Sequence, residues 1–455
     1  MTAYDGKPLT AAIGAAPMVV AAAAREGRLV ICAGAGLSVA EHASLPSGQQ
    51  LGRLLDQRLR ERLHGYTSPA DTSDLLAVAD AAVAAAGGLE ALQYEVIELA
   101  DFDQAWPNYG HRALALLLSE GAARTLLLWN WDNCVERAAL EGERLEVART
   151  LQDVAQLRVP SIAKIHGCIT RVPTLLITSA QLADPPLWTD AAFTAALRGT
   201  TGVFIGIGDV ADYARRRLEE LKDSFPDLDV YVVSPSIASG WGDSVWAQLL
   251  PELEEARRVE TTADEFLDEV ARAWALELPS RVRDIAAAAT GTTLDGINRT
   301  IAALSTLRAI DAIAWARTAA FRCRIGQSAI RLAATQEAVA AMGVLAGEQS
   351  AEVQVLPEAR CRLDGSTMEV LVACEMVTAS QVEIEAHRRA ERLAGRGLLD
   401  DEAHFLVSGA VFGEAGGLPA VDVLEGAVDP ENVLTGPRGL RVTFTRAPDV
   451  LARAA

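Results

Sequence analysis

The sequence predicts an α/β protein: a Rossmann-like, doubly wound parallel sheet with a helical insertion, followed by an α+β C-terminal domain. Three observations carry that reading. Short apolar runs recur through the first half, each the length of a parallel strand buried on both faces. Helical stretches alternate with them, which is the pattern of βαβ crossovers. Several of the runs end in glycines or in Asn and Asp, where open α/β sheets bind their ligands.

Taken in order, Ala11 to Arg25 reads as an Ala-rich helix that Gly27 stops. Arg28 to Ala33 is the first strand and runs into Gly34-Ala-Gly36-Leu-Ser38, a turn expected to open a helix. From Ser47 to Leu99 the chain reads as largely helical, broken at Gly65 to Pro69 and at Gly87-Gly88; the insertion is placed at about 47–110. His111 to Glu120 is helical again, and Arg124 to Leu128 is a second strand leading into Trp129-Asn-Trp-Asp132. Further strands are expected at Ser161 to Ile165, Thr174 to Ile177, Gly202 to Ile207 and Val230 to Val233, the last ending at Ser234-Pro235. The first domain is placed at 1–260 and the second at 261–455.

The second domain reads differently. Thr262 to about Gly347 is helical and Ala-rich, with breaks at Pro279 and at Thr290 to Thr293. Ala351 to Val377 alternates about Asp364-Gly365, a hairpin signal. Ser380 with Glu383 forms a capping-box pattern that opens a helix to about Arg396. Short strands follow at Phe405 to Val411 and at Leu440 to Thr445. No motif here carries chemistry, and the Ala-rich helices suit oligomerisation, regulation or partner docking.

Composition narrows the classes. The chain has 455 residues, of which 50% are hydrophobic and 22% charged, the balance of a globular protein. Its length exceeds what one core organises. With 41 Lys and Arg against 61 Asp and Glu, the net charge is −20. General nucleic-acid binding is not expected of such a chain, since phosphate contacts need a local excess of Lys and Arg. The Ala11 to Ala24 run is too short to span a bilayer and no signal peptide precedes it, so a cytoplasmic chain without membrane contact is expected. Cys32, Cys134, Cys168, Cys323, Cys361 and Cys374 are scattered, with no Cys-x-x-Cys pair. Reduced, mostly buried thiols are expected, and no zinc ribbon can be assembled from these spacings.

Four segments carry candidate chemistry. Gly34 and Gly36 let the backbone bend toward a ligand, and Ser38 adds a hydroxyl for a phosphate at the turn. Val39 stands where the dinucleotide fingerprint needs its third Gly, and a plain turn with Ser38 as cap explains the same residues. Asn130 and Asp132 close the second strand, where a neutral amide suits ribose hydroxyls and Glu136 follows on the same helical face. An N-cap role accounts equally for Asp132. His166, in Lys164-Ile-His166-Gly167-Cys168, is placed for general-base work or for a ribose hydroxyl; a satisfied core histidine is the plainer reading. The last segment, Val203 to Asp212, is a strand that ends in Gly206, Gly208 and acids, or an ordinary turn.

Order adds what the single motifs lack. Gly-Ala-Gly-x-Ser, Leu45-Pro46-Ser47-Gly48, Pro107-Asn108-x-x-His111, Asn-x-Asp, Lys-x-His-Gly and the glycine strand follow one another between Arg28 and Pro235. In that order the chain resembles the sirtuin superfamily, and within it the bacterial sirtuin-like NAD-hydrolase branch. The resemblance implies NAD bound in a crevice between the Rossmann-like domain and the insertion. Gly34, Ala35, Gly36 and Ser38 would cradle the pyrophosphate, and Asn130 and Asp132 would hold the nicotinamide ribose and the nicotinamide end. His166 would be the catalytic histidine. Gly206 and Gly208 would let the adenosine half pack on the sheet, with Ser234 at the adenine ribose.

Departures qualify the match. No cysteine lies between Ile169 and Thr200, where deacylases of the family carry their zinc module, so deacylation is disfavoured. Trp129 and Trp131 replace smaller residues beside Asn130, and Gly208 replaces a Ser. The implied reaction is metal-free hydrolysis of NAD, as substrate, to nicotinamide and ADP-ribose. The implied role is a NAD-depleting effector of bacterial antiviral defence by abortive infection. It would act as a homo-oligomer or under a partner such as a DNA-translocase ATPase or an Argonaute-type protein. A catalytically silent NAD- or ADP-ribose-binding sensor or scaffold is the alternative.

Overall fold

The computed structural model describes residues 15–86, 88–100, 102, 105–139, 145–154, 161–208, 215–216, 218–220, 223, 228–237, 240–275, 291–321, 328–356, 359–363, 366–373, 379–398, 402–409, 434–435 and 441–454. The chain divides into two compact units between Trp274 and Ala275.

In the first unit, α1 (Ala16–Arg25) leads through Gly27 into β1 (Leu29–Ala33), all five residues of which are buried. β1 is flanked by β2 (Thr125–Leu128) and β5 (Thr201–Ile205), with Ile31 beside Leu126 on one side and Val203 on the other. With β3 (Glu146–Ala148), β4 (Ser161–Lys164), β6 (Asp229–Val233) and β7 (Arg258–Val259), these strands form an all-parallel sheet in the order β3-β4-β2-β1-β5-β6-β7. This is the doubly wound, Rossmann-like sheet expected. The chain builds outward from β1 in one direction through β2, then returns to build in the other from β5. The carboxyl ends of β1 and β5 therefore flank the topological switch point, where such sheets bind ligands.

The insertion consists of α2 (Gly48–Arg62), α3 (Leu75–Ala86) and α4 (Leu89–Ala100). Ser47 and Gln50 close a reciprocal capping box that starts α2. The helices share a core of Leu51, Leu55, Leu59, Val78, Leu92 and Val96. α5 (Tyr109–Ser119) then returns to the sheet, buried over nearly its whole length.

Two expectations are corrected. The turn after β1 opens no α-helix: Ala35–Ser38 is a single 3₁₀ turn. Left-handed His42 and Ser44 then carry the chain toward the α2 cap. The apolar run at Thr174 to Ile177 is not a strand but the end of a 3₁₀ turn and an extended segment. Its Leu175 and Ile177 pack into the core of the insertion, and the Gln93 amide donates to the Leu175 carbonyl at 2.8 Å. β3 and β7, only three and two residues long, escape a reading based on apolar runs. Beyond β2 the connections carry the short helices α6 (Cys134–Ala138), α7 (Leu151–Val154) and α8 (Ser179–Ala183), and then α9 (Leu187–Leu197).

The helix Ala263–Ala275 contacts the start of α5: Gly110 N–H donates to Asp264 at 2.9 Å, and the Tyr109 hydroxyl donates to Asp268. These contacts carry the first unit through this helix to Trp274, beyond residue 260.

The second unit has the helices Thr292–Ser305, Ala309–Ala319, Ser328–Glu348 and Ala379–Gly395 against a mixed sheet. β8 (Ala320–Phe321), β9 (Val353–Leu356), β10 (Arg360–Leu363), β11 (Ser366–Ala373), β12 (Glu402–Ser408), β13 (Leu434–Thr435) and β14 (Arg441–Arg446) run in the order β13-β14-β12-β11-β10-β9, with β8 beside β11. The hairpin registers Leu363 opposite Ser366, while its Asp364-Gly365 turn lies outside the described residues. So do Pro279, Cys323, Cys374, Asp212, residues 1–14 and the side chains of Ser380 and Glu383. Cys32, Cys134, Cys168 and Cys361 are buried and free. Among the described residues, no helix is long and apolar enough to cross a membrane.

Candidate functional site

At the switch point the glycines pack backbone on backbone. Gly34 N–H donates to the Ile205 carbonyl at 3.0 Å and Gly36 N–H to the Gly206 carbonyl at 2.8 Å. Gly206 has φ +62°, and a Cβ on it would lie 2.7 Å from Leu37 N, so only glycine lets β1 and β5 end this close together. Ala35 and Gly36 face solvent at the mouth of this junction, and Gly208 is exposed just past it.

Ser38 points the other way, into the protein. Its Oγ lies 2.9 Å from Asp132 Oδ2, 3.0 Å from His111 Nε2 and 2.8 Å from Asn130 Nδ2. All four side chains are buried, with Asn130 the most exposed at 6%. β2 sets Asn130 and Asp132 at its carboxyl end, and α5 supplies His111 from its first turn. Asn108 caps that helix: its Oδ1 accepts from His111 N–H at 3.0 Å, and its own N–H donates to His111 Nδ1 at 3.2 Å. Asn108 Nδ2 also reaches the Leu37 carbonyl at 2.6 Å, tying the helix to the 3₁₀ turn.

Lys164, wholly buried at the end of β4, completes the group from below. Its ammonium donates to the Asp132 backbone carbonyl and stands 3.6 Å from Glu136 Oε1, which Arg149 approaches to 3.4 Å. Burial pushes the Asp132 carboxyl up, but Lys164, His111, the Cys134 N–H and the Ser38 hydroxyl outweigh it and hold the group below the usual carboxylate range. Burial pulls the His111 imidazole down to about 4 against the opposing pull of Asp132. Both groups therefore sit at neutral pH as carboxylate and neutral imidazole.

His166 follows Lys164 by two residues, in the turn that leaves β4, the strand next to β2. Its ring meets Trp129 edge-on at 6.1 Å, and Trp129 meets Phe193 in the same manner at 6.0 Å. Desolvation of the ring pulls its pKa down to about 3. Gly167 makes the turn that presents it, with φ +87° and a Cβ position only 2.1 Å from the Thr174 carbonyl oxygen. A cleft of about 660 Å³ opens beside this turn, lined by Arg149, Ile165, Gly167, Leu176, Leu187 and Trp188. Ser234 lies apart from the Ser38 group, at the end of β6, where its N–H donates to the Val259 carbonyl at 3.1 Å.

The fold thus joins Ser38, Asn130 and Asp132 in one hydrogen-bonded group, and Gly34, Gly36 and Gly206 in one backbone junction. Sequence reasoning gave no role to His111, Asn108 or Lys164. The spacing of Asn108 and His111, N-cap to third helical residue, was the signal available.

His111, Asp132 and Cys134 bring one potential metal-ligand atom each within 4.8 Å of one another. Their bonding does not fit that use. His111 Nδ1 accepts from Asn108 N–H, Asp132 Oδ1 accepts from Cys134 N–H at 3.0 Å, and Oδ2 accepts from Ser38. Burial and the Asp132 charge also push the Cys134 thiol up, away from the thiolate a metal needs.

No family model matches the chain, and no curated protein matches it. Solved structures do. A structure on the mechanism and regulation of Sir2 enzymes is 13% identical, covering 59% of this chain and 98% of its own, with a TM-score of 0.35. A Sir2 homologue in complex with NAD is 16% identical over 57% of this chain and 93% of its own, with a TM-score of 0.36. A Sir2 homologue variant in complex with ADP-ribose is 14% identical over 55% and 92%, with a TM-score of 0.34.

Proposed function

We propose that the chain is a NAD hydrolase that cleaves the nicotinamide–ribose bond, releasing nicotinamide and ADP-ribose. The observation that carries this reading is the buried group of Ser38, Asn130, Asp132 and His111 at the carboxyl ends of β1 and β2, beside the switch point. The motif order read in the sequence supplies the substrate.

The chemistry asks little of acid catalysis. The nicotinamide ring nitrogen is already cationic, so when the C1′–N bond breaks its electron pair neutralises the leaving group. What remains is an oxocarbenium-like ribose, which a buried carboxylate stabilises in a low dielectric. Asp132, held ionised, supplies that charge. Asn130 positions the ribose, and water adds at C1′. That water becomes strongly acidic as its bond to C1′ forms, so the neutral imidazole of His166 is able to take its proton. Gly34, Ala35, Gly36, Gly206 and Gly208 line the path of the pyrophosphate and adenosine, with Ser234 at the adenine ribose.

The biological role that accompanies this reading is a NAD-depleting effector of bacterial antiviral defence, with the C-terminal unit serving oligomerisation or partner docking. Incubating the full chain with NAD and measuring nicotinamide and ADP-ribose tests the activity, beside Asn130→Ala and His166→Ala. Product from the wild type and its loss in both variants supports the assignment. Unchanged turnover in either variant removes that residue from it.

A further inference from the structure

We infer that Ser38 and His111 are positioning residues that hold the Asn130 amide with its nitrogen inward, leaving its oxygen as the acceptor for a ligand hydroxyl. The identity of that hydroxyl, on the nicotinamide ribose, rests on the NAD-hydrolase reading; the direction of the hydrogen bonds does not.

The argument follows protons through the group. Asn108 N–H points at His111 Nδ1 from 3.2 Å, so that nitrogen carries a lone pair. The single proton of the neutral ring is then on Nε2, facing Ser38 Oγ at 3.0 Å. Ionised Asp132 has no proton to offer, so the Ser38 hydroxyl must spend its own on Oδ2 at 2.9 Å. With that proton committed, Asn130 has to present its NH₂ to Ser38, as the 2.8 Å contact of Nδ2 has it. Both ends of the chain of bonds, the backbone N–H and the carboxylate, force the same polarity. Asn130 Oδ1 is left buried with no hydrogen-bond partner. A buried acceptor without a donor is costly, and a ligand that brings a donor removes the cost.

The class of ligand group follows from this polarity. A phosphate oxygen at neutral pH brings no donor and gains nothing at Oδ1, whereas a sugar hydroxyl does. The Ser38 hydroxyl, with one proton given and two lone pairs receiving, is saturated. It acts through Asn130 and not on the pyrophosphate.

Two readouts on the full chain test this. The first needs no substrate: nitrogen NMR of labelled histidine, with the His111 signal assigned by its loss in His111→Gln. Protonation at Nε2 near pH 7 is expected, and protonation at Nδ1 overturns the inference. The second compares NAD with NAD lacking the 2′- or the 3′-hydroxyl of the nicotinamide ribose. Wild type is expected to lose about 10- to 100-fold in kcat/KM for one of the two deoxy substrates. Ser38→Ala and His111→Leu are each expected to lose about 10-fold or more on NAD and to stop discriminating against that deoxy substrate. His111→Gln, which keeps an N–H donor, is expected to retain both. Discrimination that survives Ser38→Ala overturns the inference, and Ser38→Ala still answers if His111→Leu does not fold. A wild type that neither binds nor cleaves NAD defeats the hydrolase reading alone, because the NMR result still decides the positioning.

Discussion

Ser38 Oγ lies 2.9 Å from Asp132 Oδ2 across 94 residues of chain, both side chains buried. That bond joins the turn after β1 to the end of β2 and seats a carboxylate beside the point where the sheet reverses its direction of winding. A buried charge is tolerated only when it is paired and hydrogen-bonded, and Asp132 has both from Ser38, Cys134 N–H and the Lys164 ammonium.

Lys164 gives the first test. Replacing it with Met removes a buried ammonium and leaves the Asp132 carbonyl and the Glu136 carboxylate without it, which costs about 3–5 kcal/mol. Denaturant unfolding of Lys164→Met is expected to show that loss. Adding Glu136→Gln to it is expected to recover part, giving a coupling energy of about 0.5–3 kcal/mol between the two positions.

Gly206 and Gly208 are expected to part company. Gly206→Ala must hold a side chain at φ +62° against Leu37 N, and strain of this kind costs about 1–3 kcal/mol before the clash is counted. Gly208 is exposed and has open space at its Cβ position, so Gly208→Ala is expected to stay within about 0.5 kcal/mol of wild type. Thermal unfolding of the two variants side by side measures the difference.

Acid is expected to destabilise the fold early. Burial holds the His111 and His166 imidazoles down at about 4 and about 3, below the ordinary imidazole value of about 6.5. As pH falls, the unfolded chain takes up these protons first, so the stability is complete above about 6.5 and is lost between there and the folded values. Asp132, held low, adds a loss of its own only below its unfolded value of about 4. The unfolding midpoint is expected to fall from about pH 6.5 downward. Combining His111→Gln with His166→Asn flattens that slope if these two rings cause it.

Much of this was legible in the sequence because it lies at strand ends. Gly34, Ser38, Asn130, Asp132 and His166 each follow an apolar run, and strands buried on both faces announce themselves by composition. The hairpin of β10 and β11 was legible from Asp364-Gly365 for a similar local reason. The contact of His111 with Ser38 was not, since the two are 73 residues apart and the spacing of Asn108 and His111 announces only the start of a helix. Nor was the fate of Thr174 to Ile177: apolar residues that serve the insertion look the same as apolar residues that serve a sheet. The helix expected after Ser38 failed because the chain, held by Gly206, leaves β1 in one 3₁₀ turn and does not start α2 until Ser47.

The measurement that bears most directly on the central claim is NAD turnover by the full chain beside Asn130→Ala, with nicotinamide and ADP-ribose quantified and NAD binding followed by calorimetry on the same samples. The account predicts stoichiometric release of both products by the wild type, and a fall of at least about 100-fold in Asn130→Ala with its fold intact. NAD that binds the wild type and is recovered unchanged, or turnover that Asn130→Ala leaves untouched, would contradict it.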